Sequence, residues 1–305
     1  MRRLFPLVLA LGGCVEPDLG IADQAVIGAS PTAAGMYPAV GALYRDGAVT
    51  CTGTLIAPDA VLTAAHCLRA GQPLPGFTFD TDTRGAVTVI PAASAVVHPM
   101  WNIDRPIGDG PTQYYDIGVL LLTDQINDVR PMILASAAEG AALVDGKLVT
   151  MVGYGQTVDG DAASAGVKSD AQAPIVDTSP SELQVSNPGQ PQNCYGDSGG
   201  PAVADLGAGA RLVGVVSRGA TAATTCDQGG VDTRVDYYAT WVRQQVGAAC
   251  IGGQRCAGGT IDPGDPGYGA EIEGGCGDAG GGGAGGGVLV LVALVWRGRR
   301  RRLIA

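Results

Sequence analysis

The sequence predicts an all-β protein, a barrel or a sandwich, with one helix closing its folded part. Three observations lead there. From Val26 to about Gly247 the apolar residues come in short runs cut by glycine, proline and aspartate, which is how strands between turns read. Helical spacing stands out near the end, where Tyr238, Trp241, Val242 and Val246 recur at three- and four-residue intervals and share one face. Composition permits a sizeable core, since 46% of the 305 residues are hydrophobic and only 16% charged.

The runs follow in order: Val40-Gly41-Ala42-Leu43-Tyr44, Thr52-Gly53-Thr54-Leu55-Ile56, Ile117-Gly118-Val119-Leu120-Leu121-Leu122, Leu148-Val149-Thr150-Met151-Val152 and Leu212-Val213-Gly214-Val215-Val216. Each has strand length and is bounded by turn formers. No internal repeat is evident. The formal net charge of −10 argues against nucleic acid as a partner, because a phosphate backbone must be met by Lys and Arg. The basic residues that cluster do so at the extreme ends.

Eight cysteines sort by position. Cys51 and Cys67 flank the segment of His66, and Cys194 and Cys226 flank that of Ser198. Cys250 and Cys256 form a close couple after the helix, a pairing left as a candidate rather than read from the sequence. Cys14 and Cys276 lie near the two ends. Thiols grouped around such loops fit an oxidising compartment, periplasmic or extracellular.

The chemistry is carried by Cys194-Tyr195-Gly196-Asp197-Ser198-Gly199-Gly200-Pro201 and by Leu62-Thr63-Ala64-Ala65-His66-Cys67. A serine hydroxyl is a poor nucleophile until a base and an oxyanion cradle are built around it. The first segment offers such a serine in a glycine-rich turn. The second offers an imidazole able to take the serine proton and return it to a leaving group. Together the two segments resemble the motifs of the trypsin/chymotrypsin family of serine endopeptidases, and the resemblance runs from about Val26 to Gly247.

That resemblance implies two six-stranded antiparallel β-barrels, about 26–135 and 136–235, with the active site between them and a closing helix over 236–247. It implies a triad of His66, Asp116 and Ser198. Asp116 opens Asp116-Ile117-Gly118-Val119-Leu120, which is similar to the family's Asp-Ile-Ala-Leu strand with glycine for alanine. The backbone N–H groups of Gly196 and Ser198 would form the oxyanion hole, and Ser217 would support the aspartate. His98, in Val97-His98-Pro99, reads as structural. Cys51–Cys67 and Cys194–Cys226 are the disulfides the resemblance supports. Family precursors are cut before an Ile-Val-Gly-Gly-like start, whose freed amine pairs with the acid ahead of the nucleophile. Val26-Ile27-Gly28-Ala29 fits that start and Asp197 that acid, so the bond cut would be Ala25–Val26.

By position, Gln192 and Asn193 form the base of the primary substrate pocket, and Gly219 and Gly230 leave its mouth open. Arg218 stands where the family usually has an aromatic residue, which alters the wall of the cleft. Asp232 replaces a frequent tyrosine at the pocket's back; pointing inward it would supply negative charge, pointing outward it would be a solvated loop acid. No cofactor is expected. No zinc spacing, phosphate loop or dinucleotide fingerprint appears, and Asp80 and Asp82 read as a polar loop rather than a calcium site.

The two ends read as addresses. Met1-Arg2-Arg3 and the apolar Leu4–Leu11 form a secretory signal, and Leu11-Gly12-Gly13-Cys14 resembles a lipoprotein cleavage box, the other reading being an ordinary signal peptide. Residues 1–14 are thus signal and 15–25 propeptide. Residues 248–278 form a spacer rich in Gly, Pro and Asp. In 279–305, after Cys276, a glycine run, an apolar stretch and an arginine cluster resemble C-terminal sorting tags of some Gram-negative bacteria, myxobacteria among them. A plain single-pass anchor is the other reading. The expected protein is an exported serine endopeptidase, associated with the envelope or secreted, that acts on protein or peptide substrates and depends on an activating protease. A non-catalytic homologue serving as a surface binding module is the alternative, and an esterase would share the same chemistry.

Overall fold

The computed structural model describes residues 26–246 apart from 107, 223 and 224. Thirteen strands and one α-helix build it: β1 Ser30–Pro31, β2 Val40–Arg45, β3 Ala48–Ala57, β4 Ala60–Thr63, β5 Gly76–Thr78, β6 Ala92–Val97, β7 Gly118–Leu122, β8 Leu148–Gly153, β9 Ser169–Thr178, β10 Glu182–Val185, β11 Pro201–Asp205, β12 Ala210–Gly219, β13 Gly230–Arg234 and α1 Val235–Val246. Each apolar run of the sequence lies in or alongside a strand, because only ladder hydrogen bonds satisfy the backbone of a buried extended segment.

The first sheet has the order β5-β2-β3-β4-β7-β6 and is antiparallel throughout. It curls on itself, for Phe77 of β5 exchanges backbone hydrogen bonds of 2.9 and 2.8 Å with Ile90, just ahead of β6. The second sheet runs β9-β10-β13-β12-β11-β8 and closes through a β8–β9 ladder from Leu148↔Pro174 to Gly153↔Ser169. The architecture is therefore a six-stranded barrel beside a curled six-stranded half-barrel with one C-terminal helix. β1 is an extra short strand on β9, and Ile27 pairs with Gln192. The first described residues thus belong to the second sheet, although the sequence places them with the first. Val26 and Ala29 are buried in that barrel's core, and burying them draws the strand across.

One core gathers Leu43, Leu55, Ile56, Leu62, Phe77, Ile117 and Leu120, the other Val149, Met151, Ile175, Leu183, Val185 and Val213. Each such side chain contributes roughly 1.5–3 kcal/mol on leaving water. The helix buries Val235, Tyr238, Ala239, Val242 and Val246 and packs into the first core with Leu134, Leu212 and Val215; of the face read from its spacing, Trp241 alone is only half-buried. It therefore closes the half-barrel from the far end of the chain.

The two sheets meet where β3 runs past the loop ahead of β11. Thr52 N–H donates to Ser198 O at 2.8 Å, and Gly199 N–H to Val216 O at 2.7 Å. Gly199 has φ +80°, and a Cβ there would run into the backbone of Thr52 and Ala64 and the Thr63 hydroxyl. We expect Gly199→Ala to destabilise the fold by about 1–3 kcal/mol from overpacking alone, with added backbone cost. Urea unfolding compared with wild type measures it.

Candidate active site

His66 sits in a 3₁₀ turn over Ala65–Leu68, immediately after β4. The Cys51–Cys67 disulfide ties that turn to β3. Asp116 lies just before β7, the strand that pairs with β4, so strand pairing carries the two residues together from 50 positions apart in sequence. Asp116 Oδ1 accepts the backbone N–H of His66 at 2.9 Å, and Oδ2 lies 2.7 Å from His66 Nδ1. Ser217 Oγ donates to Oδ2 at 2.7 Å, and Thr233 Oγ1 to Asp116 O at 2.9 Å.

Burial by itself would raise the pKa of Asp116, which is 1% exposed. The His66 charge and the hydrogen bonds from His66 and Ser217 outweigh it, so the carboxyl stays below its ordinary range. An ionised carboxylate only accepts hydrogen bonds, which fixes the proton on His66 Nδ1 and leaves Nε2 with a free lone pair. That is the tautomer a general base requires.

Ser198 stands in the loop between the Cys194–Cys226 disulfide and β11. Thr52 clamps this loop: its backbone N–H bonds Ser198 O, and its hydroxyl donates to Gly196 O at 2.9 Å while accepting from Tyr154 N at 3.1 Å. Thr63, three residues before His66, anchors Thr52 in turn at 2.9 Å. Tyr195 O accepts from Gln156 N at 2.8 Å and Asp197 O from Gly200 N at 2.8 Å. In a planar trans peptide the N–H points opposite its C=O. The N–H groups of Gly196 and Ser198, which share those two peptides, therefore face away from these internal bonds.

Asp197 is fully buried, with Oδ1 accepting from Gly155 N at 2.8 Å and Oδ2 from Cys194 N at 2.9 Å. A side chain at Gly155 would occupy the space of that carboxyl. Burial pushes Asp197 up to about 7 against the pull of those two donors. Val26 is buried too, with φ +54°, a left-handed conformation that a β-branched residue rarely adopts. Ile27 and Gln192 exchange backbone hydrogen bonds of 2.9 and 3.0 Å, which seats this segment beside the strip that leads to Ser198.

The pocket residues divide. Gln192 spends both ends of its amide inside the protein, accepting from Gly229 N at 2.6 Å and donating to Asn187 O at 2.5 Å. Asn193 Nδ2 and both oxygens of Asp232 are buried without a partner. Gly219 and Gly230 face each other in the β12–β13 ladder.

Arg218 has a partner that sequence reasoning missed. Its guanidinium donates to both oxygens of Glu182 at 2.8 Å, to Gly110 O at 3.1 Å, and lies 5.2 Å from the Tyr114 ring centroid. Glu182 also accepts from the backbone N–H groups of Thr112 and Tyr114 at 2.6 and 3.1 Å. The pair thus pins the segment that leads into Asp116. Thr52 and Thr233 were missed as well; a threonine in a strand carries no mark of what its hydroxyl will meet.

His98 packs among Tyr115, Tyr238 and Trp241, with ring centroids 5.1, 5.2 and 5.0 Å away, and its Nδ1 accepts from Met100 N. Burial lowers its pKa, as suits a packed neutral ring. Asp82 forms an ion pair with Arg84 at 2.8 Å and Asp80 accepts from Thr88 N, so the two carboxylates are engaged separately. Cys14, Cys250, Cys256 and Cys276, with both end segments, lie outside the described residues.

The family model described as Trypsin matches residues 26–242. The chain is similar to human granzyme M, 31% identical over 79% of this chain and 96% of that protein. It is also similar to a trypsin from Saccharopolyspora erythraea, 30% identical over 68% of this chain and 91% of that one. Among solved structures it resembles neuropsin, a serine protease expressed in the limbic system of mouse brain. That match has a TM-score of 0.60 and 22% identity, covering 73% of this chain and all of the other.

Removing one partner of a buried ion pair strands the other charge, at a cost of about 3–5 kcal/mol. Arg218 and Glu182 side chains are 6% and 1% exposed, so Glu182→Gln should lower the unfolding free energy by about that amount. The double change Glu182→Gln with Arg218→Met should recover part of the loss. Denaturant unfolding of the three variants measures it.

Proposed function

This chain belongs to the trypsin family of serine endopeptidases, and on that footing we propose that it hydrolyses peptide bonds through Ser198, His66 and Asp116. The observation that carries the reading is the buried Asp116 bonded to both the backbone and the ring of His66. His66 Nε2 takes the Ser198 proton as Oγ attacks the scissile carbonyl carbon. The same proton passes to the amine as the C–N bond breaks, leaving an acyl-enzyme. Water, deprotonated by His66, then releases the acid and frees Ser198. Asp116 holds the ring in its tautomer and stabilises the imidazolium in both halves. The outward N–H groups of Gly196 and Ser198 would stabilise the oxyanion, each donor being worth about 10²–10³ in kcat.

Activation fits the same site. Among the described residues of the uncut chain Asp197 has two N–H donors and no cation, and burial raises it to about 7. A cut between Ala25 and Val26 would create an ammonium beside this strip and release Val26 from its left-handed conformation. The mature enzyme would then begin at Val26, with 26–247 as its protease domain and 15–25 as the propeptide removed. The cut would sever the enzyme from any lipid on Cys14, so retention at the envelope would rest on the Cys276 segment. The two disulfides are consistent with export.

Ser198→Ala is expected to abolish labelling by a fluorophosphonate probe and to reduce kcat by on the order of 10⁶. Edman sequencing of active enzyme should begin Val-Ile-Gly-Ala; an intact Ala25–Val26 junction in active enzyme would overturn the activation scheme. The linkage has a definite sign. A carboxyl raised from 3.8 to about 7 in the fold makes the native state bind more protons, so uncut protein loses stability as pH rises from about 4 to 7. The cut protein, its Asp197 paired with an ammonium, should lose less over that range. Asp232 adds the same slope to both forms, so unfolding of cut and uncut Ser198→Ala protein isolates Asp197.

A further inference from the structure

Among the residues read as the primary pocket, one carboxylate, that of Asp232, is buried without a partner. β12 and β13 pair Val216 with Asp232 and, past a bulge, Arg218 with Val231, while Gln192 and Asn193 lie against Gly229 and Gly230 at the start of β13. Side chains two apart on a strand share a face, so Gly230 and Asp232 look the same way. A Cβ on Gly230 would lie 3.4 Å from Asn193 Nδ2, which sets that face toward Asn193. Val231 and Thr233 take the opposite face, from which Thr233 reaches Asp116. Asp232 is therefore on the pocket side of β13, deeper than Gly230, with its Cβ against Gly214 of β12.

There Asp232 is 0% exposed and neither of its oxygens finds a donor. The amide of Gln192, at the pocket's base, is already consumed by Gly229 and Asn187. Among the described residues the charged group that bears on Asp232 is Glu182, from β10, and Glu182 is itself paired with Arg218 of β12. Gly214, Val216, Gln192 and Asn193 bring no charge. A carboxylate buried without donors is costly, and a cation arriving from outside the fold removes that cost.

We propose that Asp232 supplies the counter-charge for a Lys or Arg side chain of the substrate, in place of an acid at position 192, with the amide of Asn193 completing the polar lining. The proposal rests on the peptidase reading above and names its substrate class.

The test uses the mature full enzyme, active-site titrated with a fluorophosphonate, on peptide 4-nitroanilides that differ only in the residue before the cut. Arg and Lys should exceed Gln and Leu in kcat/KM by on the order of 10², the usual worth of a close buried charge pair. Asp232→Asn should collapse that ratio. The ratio should also rise with pH across the range around 7 to which burial lifts the empty-pocket carboxyl, since only the ionised form attracts a cation. One arm needs no variant: benzamidine should protect wild-type Ser198 from labelling, and uncharged benzamide should not. Efficient cleavage after Leu or Phe with no basic preference, or an Arg-to-Leu ratio indifferent to Asp232→Asn, overturns the proposal and leaves the peptidase reading standing. Absence of both labelling and peptide cleavage overturns the two together.

Discussion

A single buried carboxylate, that of Asp116, constrains the arrangement of everything around it. Ionised and out of water, it must be surrounded by donors or the fold cannot bear it. Two come from His66, at the end of β4, and one from Ser217, on β12, while Thr233 of β13 holds the backbone carbonyl. Both sheets therefore converge on one side chain, and the crevice between them is where that convergence happens. Tyr115, with φ +62°, bends the chain so that Asp116 can turn inward, and the Arg218–Glu182 pair holds the preceding segment in place.

The loop of Ser198 is held by different means. It packs over β3 with no buried ion pair of its own, and Thr52 grips it by backbone and side chain. The Cys194–Cys226 disulfide fastens one end and the β11 ladder the other. Between those points Gly199 allows a contact that any side chain would forbid. A serine positioned this way has little freedom, so in the proposed role much of the entropy of aligning a nucleophile would be spent on folding rather than at each turnover.

Much of this was legible in the sequence because the signals are local. A histidine inside Thr-Ala-Ala-His-Cys, a serine inside Gly-Asp-Ser-Gly-Gly and an aspartate opening an apolar strand announce themselves within a few residues. The helix showed its buried face by spacing alone, and the structure begins it at Val235, one residue early, where β13 passes directly into it. What stayed hidden is long-range and polar. Glu182 meets Arg218 across 36 residues, and nothing near Glu182 distinguishes it from a surface acid. The placement of β1 on the second barrel was equally hidden, since it follows from burial of Val26 and Ala29 in a core assembled by strands far downstream. Gln192 was legible as a position but not as an orientation, its amide being turned into neighbouring loops.

Three buried acids around the cleft obey one rule to different degrees. Asp116 has its donors and an imidazole, and it stays ionised below the ordinary range. Asp197 has two backbone donors and no cation, and burial carries it to about 7. Asp232 has neither, and burial together with the charge of Glu182 carries it equally high. Folding alone completes the first environment and leaves the other two short of positive charge. Among the described residues no cation is bonded to either acid, and Arg218 is held by Glu182. If activation and substrate recognition proceed as proposed, both deficits are met from outside the folded precursor. An amine made when the chain is cut meets one, and a side chain of the substrate meets the other. The same electrostatic cost that a stable core would avoid then makes the site responsive, first to processing and then to what it binds.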